Sequence, residues 1–262
     1  MSGAKIITLL TDFGLQDVYV GVMKGVISAI APEARVIDLT HDLPPQNLRM
    51  GSYALRSAYS YFPEGTVHVA VIDPGVGSQR RGIAVQFAGG YLVGADNGMF
   101  DGVLKETKAI AAVELTNPQY WRTPNPSATF HGRDIFAAVG AHLASGVELQ
   151  QLGSTIALDS LITLPSLPLK KEANKIIGSI QYSDRFGNLV TNITGEDISK
   201  GDRVKIQRHT INISATYSSR DSHSLVALIG SHGFLEIAIN RGNAQRQLQT
   251  KIGDSVTVIK GS

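Results

Sequence analysis

The sequence has no cysteine in 262 residues, which excludes disulfide frames, thiolate metal sites and cysteine nucleophiles. Aromatic residues are scarce, at 6% with a single Trp, and neither sign of charge prevails: 24 Lys and Arg stand against 22 Asp and Glu, a net of +2. The basic residues are scattered rather than gathered into a stripe with interleaved aromatics, so nucleic acid is not expected as a partner. Long apolar runs are also missing. The opening MSGAKIITLLTDFG has one Lys before a short run that ends at Asp12, too brief for a signal peptide or a membrane span. The chain therefore reads as cytoplasmic, with no membrane partner. What is present is 43% hydrophobic content, ample for a packed core.

Residues 5 to 160 alternate between short β-branched runs and longer stretches of helical period. This pattern predicts an α/β domain over 1–164, a mostly parallel sheet covered by helices. IITLL (6–10) is the first strand. A helix follows from about Tyr19 to Ala31, with Val20, Met23, Val26 and Ile30 on one face and Pro32 as its stop. A second strand covers Arg35 to Leu39, a second helix runs from about Leu48 to Tyr61, and TVHVAVI (66–72) leads into Asp73. GIAVQFAGGYLVGADNG reads as a hairpin turning at Gly89 and Gly90. AIAAVEL is a further strand, and a helix opens at Arg133 and Asp134, where an Asp suits the helix dipole. Two prolines and a charge cluster mark 165–175 as a linker. Over 176–262 the runs IIGSIQYS, NLVTNI, RVKIQ, INISATY, SLVALIG, FLEIAI and SVTVI are short and alternating, which predicts a smaller all-β, barrel-like domain.

In an open α/β sheet, ligands bind beyond the carboxyl ends of the strands. The residues at those ends are Asp12, His41 with Asp42, and Asp73; later loops bring Asp96, Asn97 and His131. His41 and Asp42 are read as structural. In VIDPGVGSQRR (71–81), Pro74, Gly75 and Gly77 let the chain turn back, so that Arg80 returns to Asp73. Two chemistries fit such a convergence: metal-activated water, or a direct grip on a polar ligand, with Asp12 placed to accept from two ribose hydroxyls. The spacing favours the second, because HxH and HExxH pairs are missing and Arg80 competes with any cation for Asp73. No metal is therefore expected. PGVGSQR matches neither GxxxxGK[ST] nor GxGxxG, which disfavours a phosphate cradle. In the second domain, YSDRFGNLVTNI sets Asp184, Phe186 and Asn188 around Gly187. An aromatic on a hairpin turn suggests a surface for a flat ligand. SHGFLEIAINRGNA, with Ser231, Glu236 and Asn240, is a weaker signal of the same kind.

Taken in order, TDFG (11–14), DPGVGSQRR (73–81), TFHGRD (129–134), DRFGN (184–188) and SHGFLEIAINRGNA (231–244) resemble one family over nearly the whole chain. It is the S-adenosyl-L-methionine (SAM) hydrolases (adenosine-forming), or SAM hydroxide adenosyltransferases, related to the SAM-dependent fluorinase and chlorinase. The resemblance implies an N-terminal α/β domain joined to a C-terminal β-barrel. It also implies conversion of SAM and water to adenosine and L-methionine, with SAM as substrate and no cofactor. A homotrimer is implied, with SAM between the N-terminal domain of one subunit and the C-terminal domain of the next.

By motif, Asp73, Arg80 and His131 fall on the triad that handles the attacking water, and Asp12 on the carboxylate that holds the ribose hydroxyls. Asp184, Asn188 and Ser231 fall on methionine-side contacts and Phe186 on an adenine-side aromatic. The backbone of Ile239, Asn240 and Arg241 falls on the adenine-binding edge, and Glu236 is counted among the substrate-binding residues of that segment. The fluorinase has Tyr in place of Asp73, Tyr then Ser in place of His131 and Gly132, and Trp in place of Gln46. Its extra loop is missing here. These departures point to water rather than halide as nucleophile. A SAM-dependent halogenase, a nucleoside- or SAM-binding module with negligible turnover, and a metal hydrolase are the competing readings. A sulfonium is already a good leaving group, so the site has only to place a water in line with the C5′ to sulfur bond. Asp73 is then a fixed acceptor for a water proton and His131 a group that takes or relays it, and the sequence does not choose between them.

Overall fold

The structure, a computed structural model, describes residues 5–261. The chain divides after Leu164 into two compact units. In the first, β1 (Ile6–Thr11), α1 (Tyr19–Ile30), β2 (Arg35–Thr40), α2 (Leu48–Ala58) and β3 (Thr66–Val71) precede a hairpin of β4 (Gly82–Phe87) and β5 (Gly90–Ala95). Then come α3 (Asp101–Glu106), β6 (Ala109–Glu114), α4 (Ala137–Ala144) and β7 (Ser154–Thr155). The seven strands lie in the order β2-β1-β3-β5-β4-β6-β7.

This sheet is mixed, which corrects the expectation of a mostly parallel one. β2, β1, β3 and β5 run parallel, whereas β4, β6 and β7 join through antiparallel pairings. The cause is local. Only Ala88 and Gly89 separate β4 from β5, and a parallel crossover needs a dozen residues or more. Within β3 the alternation is clean. Val67, Val69 and Val71 pack with Met23 and Ile27 of α1 and Ala138 of α4, whereas Ala70, with Ile72 just beyond, packs with Leu55 of α2 and Val103 of α3. The helices are few, two to each face. β1, β2 and β3 are parallel neighbours, so their carboxyl ends open at one edge, and Asp12, His41 and Asp73 sit there.

The second unit holds β8 (Lys170–Lys171), β9 (Lys175–Ser183), β10 (Leu189–Thr194), β11 (Arg203–Ile206), β12 (His209–Asn212), β13 (Leu225–Ile229), β14 (Phe234–Ile239), α5 (Ala244–Leu248) and β15 (Ser255–Ile259). The order is β12-β11-β15-β9-β10-β14-β13, antiparallel throughout, with β8 on β9. A bridge from Ile213 to Ala227 draws the two ends together into a nearly closed barrel. Its interior is Ile176, Ile180, Leu189, Val204, Leu235, Ile237 and Val256. Within 165–175, read from sequence as a linker, β8 pairs with β9 and Pro168 accepts from Ser179. The run INISATY ends as a strand at Asn212. Thr216 and Ser219 instead cap a single 3₁₀ turn over Tyr217–Ser219, offering the backbone local partners in place of a ladder.

Candidate active site

Asp73 follows the buried end of β3. Two tight turns double the chain back: Val76 donates to Asp73 O and Ser78 to Gly75 O, and the Ser78 hydroxyl adds a 2.7 Å bond to Gly75 O. Arg80 thereby returns to Asp73. Its Nε donates to Oδ1 at 2.9 Å and its Nη2 to Oδ2, with the guanidinium 5.3 Å from the ring centre of Phe136. Both side chains are buried, at 11% and 6% exposure. Gly77 has φ +75°, and a Cβ there would stand 2.3 Å from Ala128 O. Glycine thus permits both the turn and the approach of a second loop, the one that carries His131.

That second loop is clamped by Asp134. Its buried carboxylate accepts from Arg133 Nε and Nη2 at 2.6 Å, from Arg122 Nη1 at 3.1 Å and from Ser127 N at 2.9 Å. Arg133 above all pulls the Asp134 pKa down to about 2, against the opposing effect of burial. Asp134 therefore does more than complement a helix dipole: it folds residues 122–134 into place. The helical run opens with a π turn over Gly132–Phe136 before α4.

His131 Nδ1 lies 2.7 Å from Arg80 Nη2. Arginine has donors only, so Nδ1 is the acceptor and a neutral His131 carries its proton on Nε2. Burial, then the Arg80 charge, lowers the His131 pKa from its ordinary value. The imidazole is neutral at pH 7 and acts as an Nε2–H donor.

Asp12, Asp73 and His131 line one cavity of about 330 Å³ together with Phe13, Tyr19, Pro45, Gln46, Val71, Thr129 and Phe130. Arg80 stands behind this lining, as the group that holds Asp73 and His131. Asp12 Oδ2 accepts from Gln46 N at 2.7 Å, and Gln46 holds the left-handed φ of 63°. Phe13, Tyr19 and Phe130 form a mutual cluster, with centroids 5.2 to 5.7 Å apart. Sequence reading did not assign these three rings. The signal was there, since Phe13 and Phe130 each adjoin a site residue. Asp96 does not join the site. It is buried, bound by Arg81 and by Ile162 N, and secures residues 160–162. Asn97 donates to Ile72 O at 2.8 Å and pins the strand end before Asp73.

In the second unit, Asp184, Phe186, Asn188, Ile239, Asn240 and Arg241 line a depression of about 620 Å³ with Tyr217 and Asn243. Asp184 accepts from both Asn188 N and Asn188 Nδ2, at 2.8 and 2.9 Å, closing the turn. Gly187, at φ +82°, lies so close to Asn243 that a Cβ would meet its amide at 2.2 Å. Phe186 is 74% exposed. Glu236 and Ser231 are not part of this lining. Ser231 is exposed between β13 and β14, whereas Glu236 is buried and accepts from the Tyr217 hydroxyl at 2.7 Å, with His232 Nε2 3.0 Å away. Burial, then Glu236, raises the Tyr217 pKa, which keeps the phenol protonated as a donor. Glu236 thus acts through Tyr217, a lining residue that sequence reading missed inside the polar run SATYSSRDSHS. Among the described residues, no group of three or more His, Asp or Glu side chains is arranged to hold a metal ion.

Comparison with known proteins follows the same two-part division. The description "SAM hydroxide adenosyltransferase N-terminal domain" matches residues 7–153, and that family's C-terminal domain matches residues 178–257. An (R)-S-adenosyl-L-methionine hydrolase of Salinispora arenicola is 38% identical over 100% of both chains. A fluorinase of Nocardia brasiliensis is more distant, 26% identical over 98% of this chain and 97% of its own. Among solved structures, an uncharacterized conserved protein from Thermotoga maritima superposes with a TM-score of 0.91 at 37% identity, covering 97% of this chain and 100% of that one.

Proposed function

The chain belongs to the SAM hydroxide adenosyltransferase family, and we propose that it is an enzyme that hydrolyses S-adenosyl-L-methionine to adenosine and L-methionine. One observation carries the reading: Asp73, Arg80 and His131 are joined by hydrogen bonds, and the outer two line one cavity with Asp12. In this mechanism a water donates to Asp73 and accepts from His131 Nε2–H, leaving a lone pair for C5′. The oxygen to C5′ bond forms as the C5′ to sulfur bond breaks, and the electron pair returns to sulfur as the thioether of methionine. The water proton passes to Asp73 and on to solvent, so each turnover releases one proton. His131 is a donor rather than a base, since Arg80 occupies its Nδ1. A nucleophile fixed in line with its target needs little more, because effective molarity supplies much of the acceleration. No cofactor takes part.

Asp12 holds the ribose hydroxyls. Asp184 and Asn188 serve the methionine portion, Phe186 and the 239–241 backbone serve adenine, and Glu236 sets Tyr217; Ser231, outside that depression, is assigned to methionine by its place in the motif alone. We infer further that the protein works as a cytoplasmic homotrimer in which these two sets come from adjacent subunits. Support comes from Leu15, Val18, Tyr19 and Val22. They are 66%, 73%, 47% and 37% exposed, Leu15 and Val18 in the bends that lead into α1 and Tyr19 and Val22 in its first turn, an exposed apolar segment that reaches the catalytic cavity at Tyr19. The relative's name specifies the (R) sulfonium, and we assign the same epimer to this chain.

The test is incubation with each sulfur epimer of SAM, with chromatography for adenosine and a pH-stat for the released proton. The expected result is adenosine and protons in equal amounts from the (R) epimer, unaffected by added halide. Adenosine formation should fall roughly 100-fold in His131→Ala. No adenosine above that variant's background, or a halide-dependent 5′-halo product, sinks the assignment.

A further inference from the structure

His41 was read from sequence as a structural residue, yet its contacts converge on the loop that carries Asp12. Its ring is 1% exposed, and Nδ1 lies 2.8 Å from the hydroxyl of Thr11, the residue before Asp12. Its backbone carbonyl accepts from Gly14 N at 2.8 Å, two residues after Asp12. Thr11 Oγ1 in turn accepts from Phe13 N at 3.3 Å. The loop is also held by Gln46 N on Asp12 Oδ2 and by the Phe13 ring against Tyr19 and Phe130. One residue thus grips the Asp12 loop on both sides.

The sequence builds this grip through an irregularity in β2. Leu9 pairs with Asp38 but Leu10 pairs with Thr40, so Leu39 is an extra residue in the parallel ladder. Such a bulge re-aims the strand end, and here His41 follows it directly. On the far side of the ring, Nε2 stands 3.1 Å from Asp38 Oδ1, out of line for a full hydrogen bond. Asp38 is itself held by Lys24 at 2.6 Å. A carboxylate can only accept, so the imidazole proton sits on Nε2 and Nδ1 is left to accept from Thr11.

We propose that His41 is a positioning residue for Asp12, fixing through Thr11 the carboxylate that grips the ribose hydroxyls. The proposal rests on the SAM-hydrolase reading above. It differs from a general structural role because it concerns only the part of the ligand that Asp12 touches.

The experiment compares wild type with His41→Leu, His41→Asn and Thr11→Val, measuring SAM kinetics and calorimetric binding of adenosine and 2′-deoxyadenosine. Leu removes the acceptor, Asn returns one near the place of Nδ1, and Val removes the hydroxyl while keeping its shape. In His41→Leu and Thr11→Val, KM for SAM and Kd for adenosine should rise roughly tenfold, with kcat held within about threefold. Kd for 2′-deoxyadenosine, which offers Asp12 one hydroxyl in place of two, should rise clearly less than Kd for adenosine, and His41→Asn should recover most of the loss. If His41→Leu does not fold, Thr11→Val carries the same comparison. Equal loss for both nucleosides, a fall in kcat at constant KM, or no change in either variant overturns the proposal. Failure of the underlying reading is seen in wild type alone, as no adenosine from SAM and no preference for adenosine over its 2′-deoxy form. That result overturns both.

Discussion

Arg80 can only donate, and this fixes both the tautomer and the charge of His131. The guanidinium spans an acceptor on each side, Asp73 and His131 Nδ1, and its charge adds to burial in holding the imidazole neutral. The active form therefore needs His131 unprotonated. Burial and the Arg80 charge lower its pKa from the ordinary 6.5, so kcat/KM should decline on the acid side with a midpoint under 6.5. Arg80→Met removes a repelling charge and the donor on Nδ1 while leaving Asp73 near the ring. The His131 midpoint, followed by NMR titration, should then move up. A downward move would contradict the assigned tautomer. The Asp73 to Arg80 pairing was legible in the sequence because Pro74, Gly75 and Gly77 announce a reversal between two charges seven residues apart. His131 could be listed among the loop residues beyond the strand ends, but its partnership with Asp73 and Arg80 came only from the resemblance, since fifty residues of chain lie between it and Arg80. The choice of Nδ1 as its bonded nitrogen was not legible at all, because it depends on where a guanidinium comes to rest.

The strands of both units could be read from alternation, and the antiparallel β4–β5 pair from its glycine turn, but most other pairings could not. A buried run such as TVHVAV looks the same beside parallel or antiparallel neighbours, so the mixed character of the first sheet emerged only from β4 and β6 joining beside β5. The bulge at Leu39 was equally invisible, because an extra residue in one strand is defined only by its partner. β3 also carries a cost that its apolar pattern hides. His68 is 1% exposed at its centre, with Nδ1 2.8 Å from Thr8 Oγ1, and burial lowers its pKa to about 4. Below the ordinary value of 6.5 the unfolded chain takes up a proton that the folded strand refuses until about pH 4. The stability tied to this residue is thus complete above pH 6.5 and is lost progressively as pH falls towards 4, by about 3 kcal/mol in all. Urea unfolding at pH 7.5 and pH 4.5 should show this loss in wild type and a smaller pH dependence in His68→Gln. Equal slopes in the two proteins would mean that His68 is protonated in the fold.

Across the whole molecule, the chemistry is divided between two separately packed units. Asp12, Asp73 and His131 belong to the first and Asp184, Asn188 and Arg241 to the second. In the proposed reading neither set alone addresses all of SAM: the first takes ribose and water, the second methionine and adenine. In the proposed trimer each site takes its first set from one subunit and its second set from the next, and cyclic symmetry makes every site equivalent. That arrangement has a consequence no single-chain site shares. Asp73→Asn disables the first set and leaves the second intact; Asn188→Ala does the reverse. Each variant alone should be nearly inactive. Co-expressed in equal amounts, the two chains assemble at random, and a site is whole when an intact first set meets an intact second set, which happens in about a quarter of sites. Hydrolysis of SAM by the mixture should therefore recover to about a quarter of the wild-type rate, and mass photometry should give a trimer throughout. If both sets came from one chain, every site in the mixture would carry one of the two lesions. Activity would then stay at the level of the separate variants, which is the result that would dismiss the shared site.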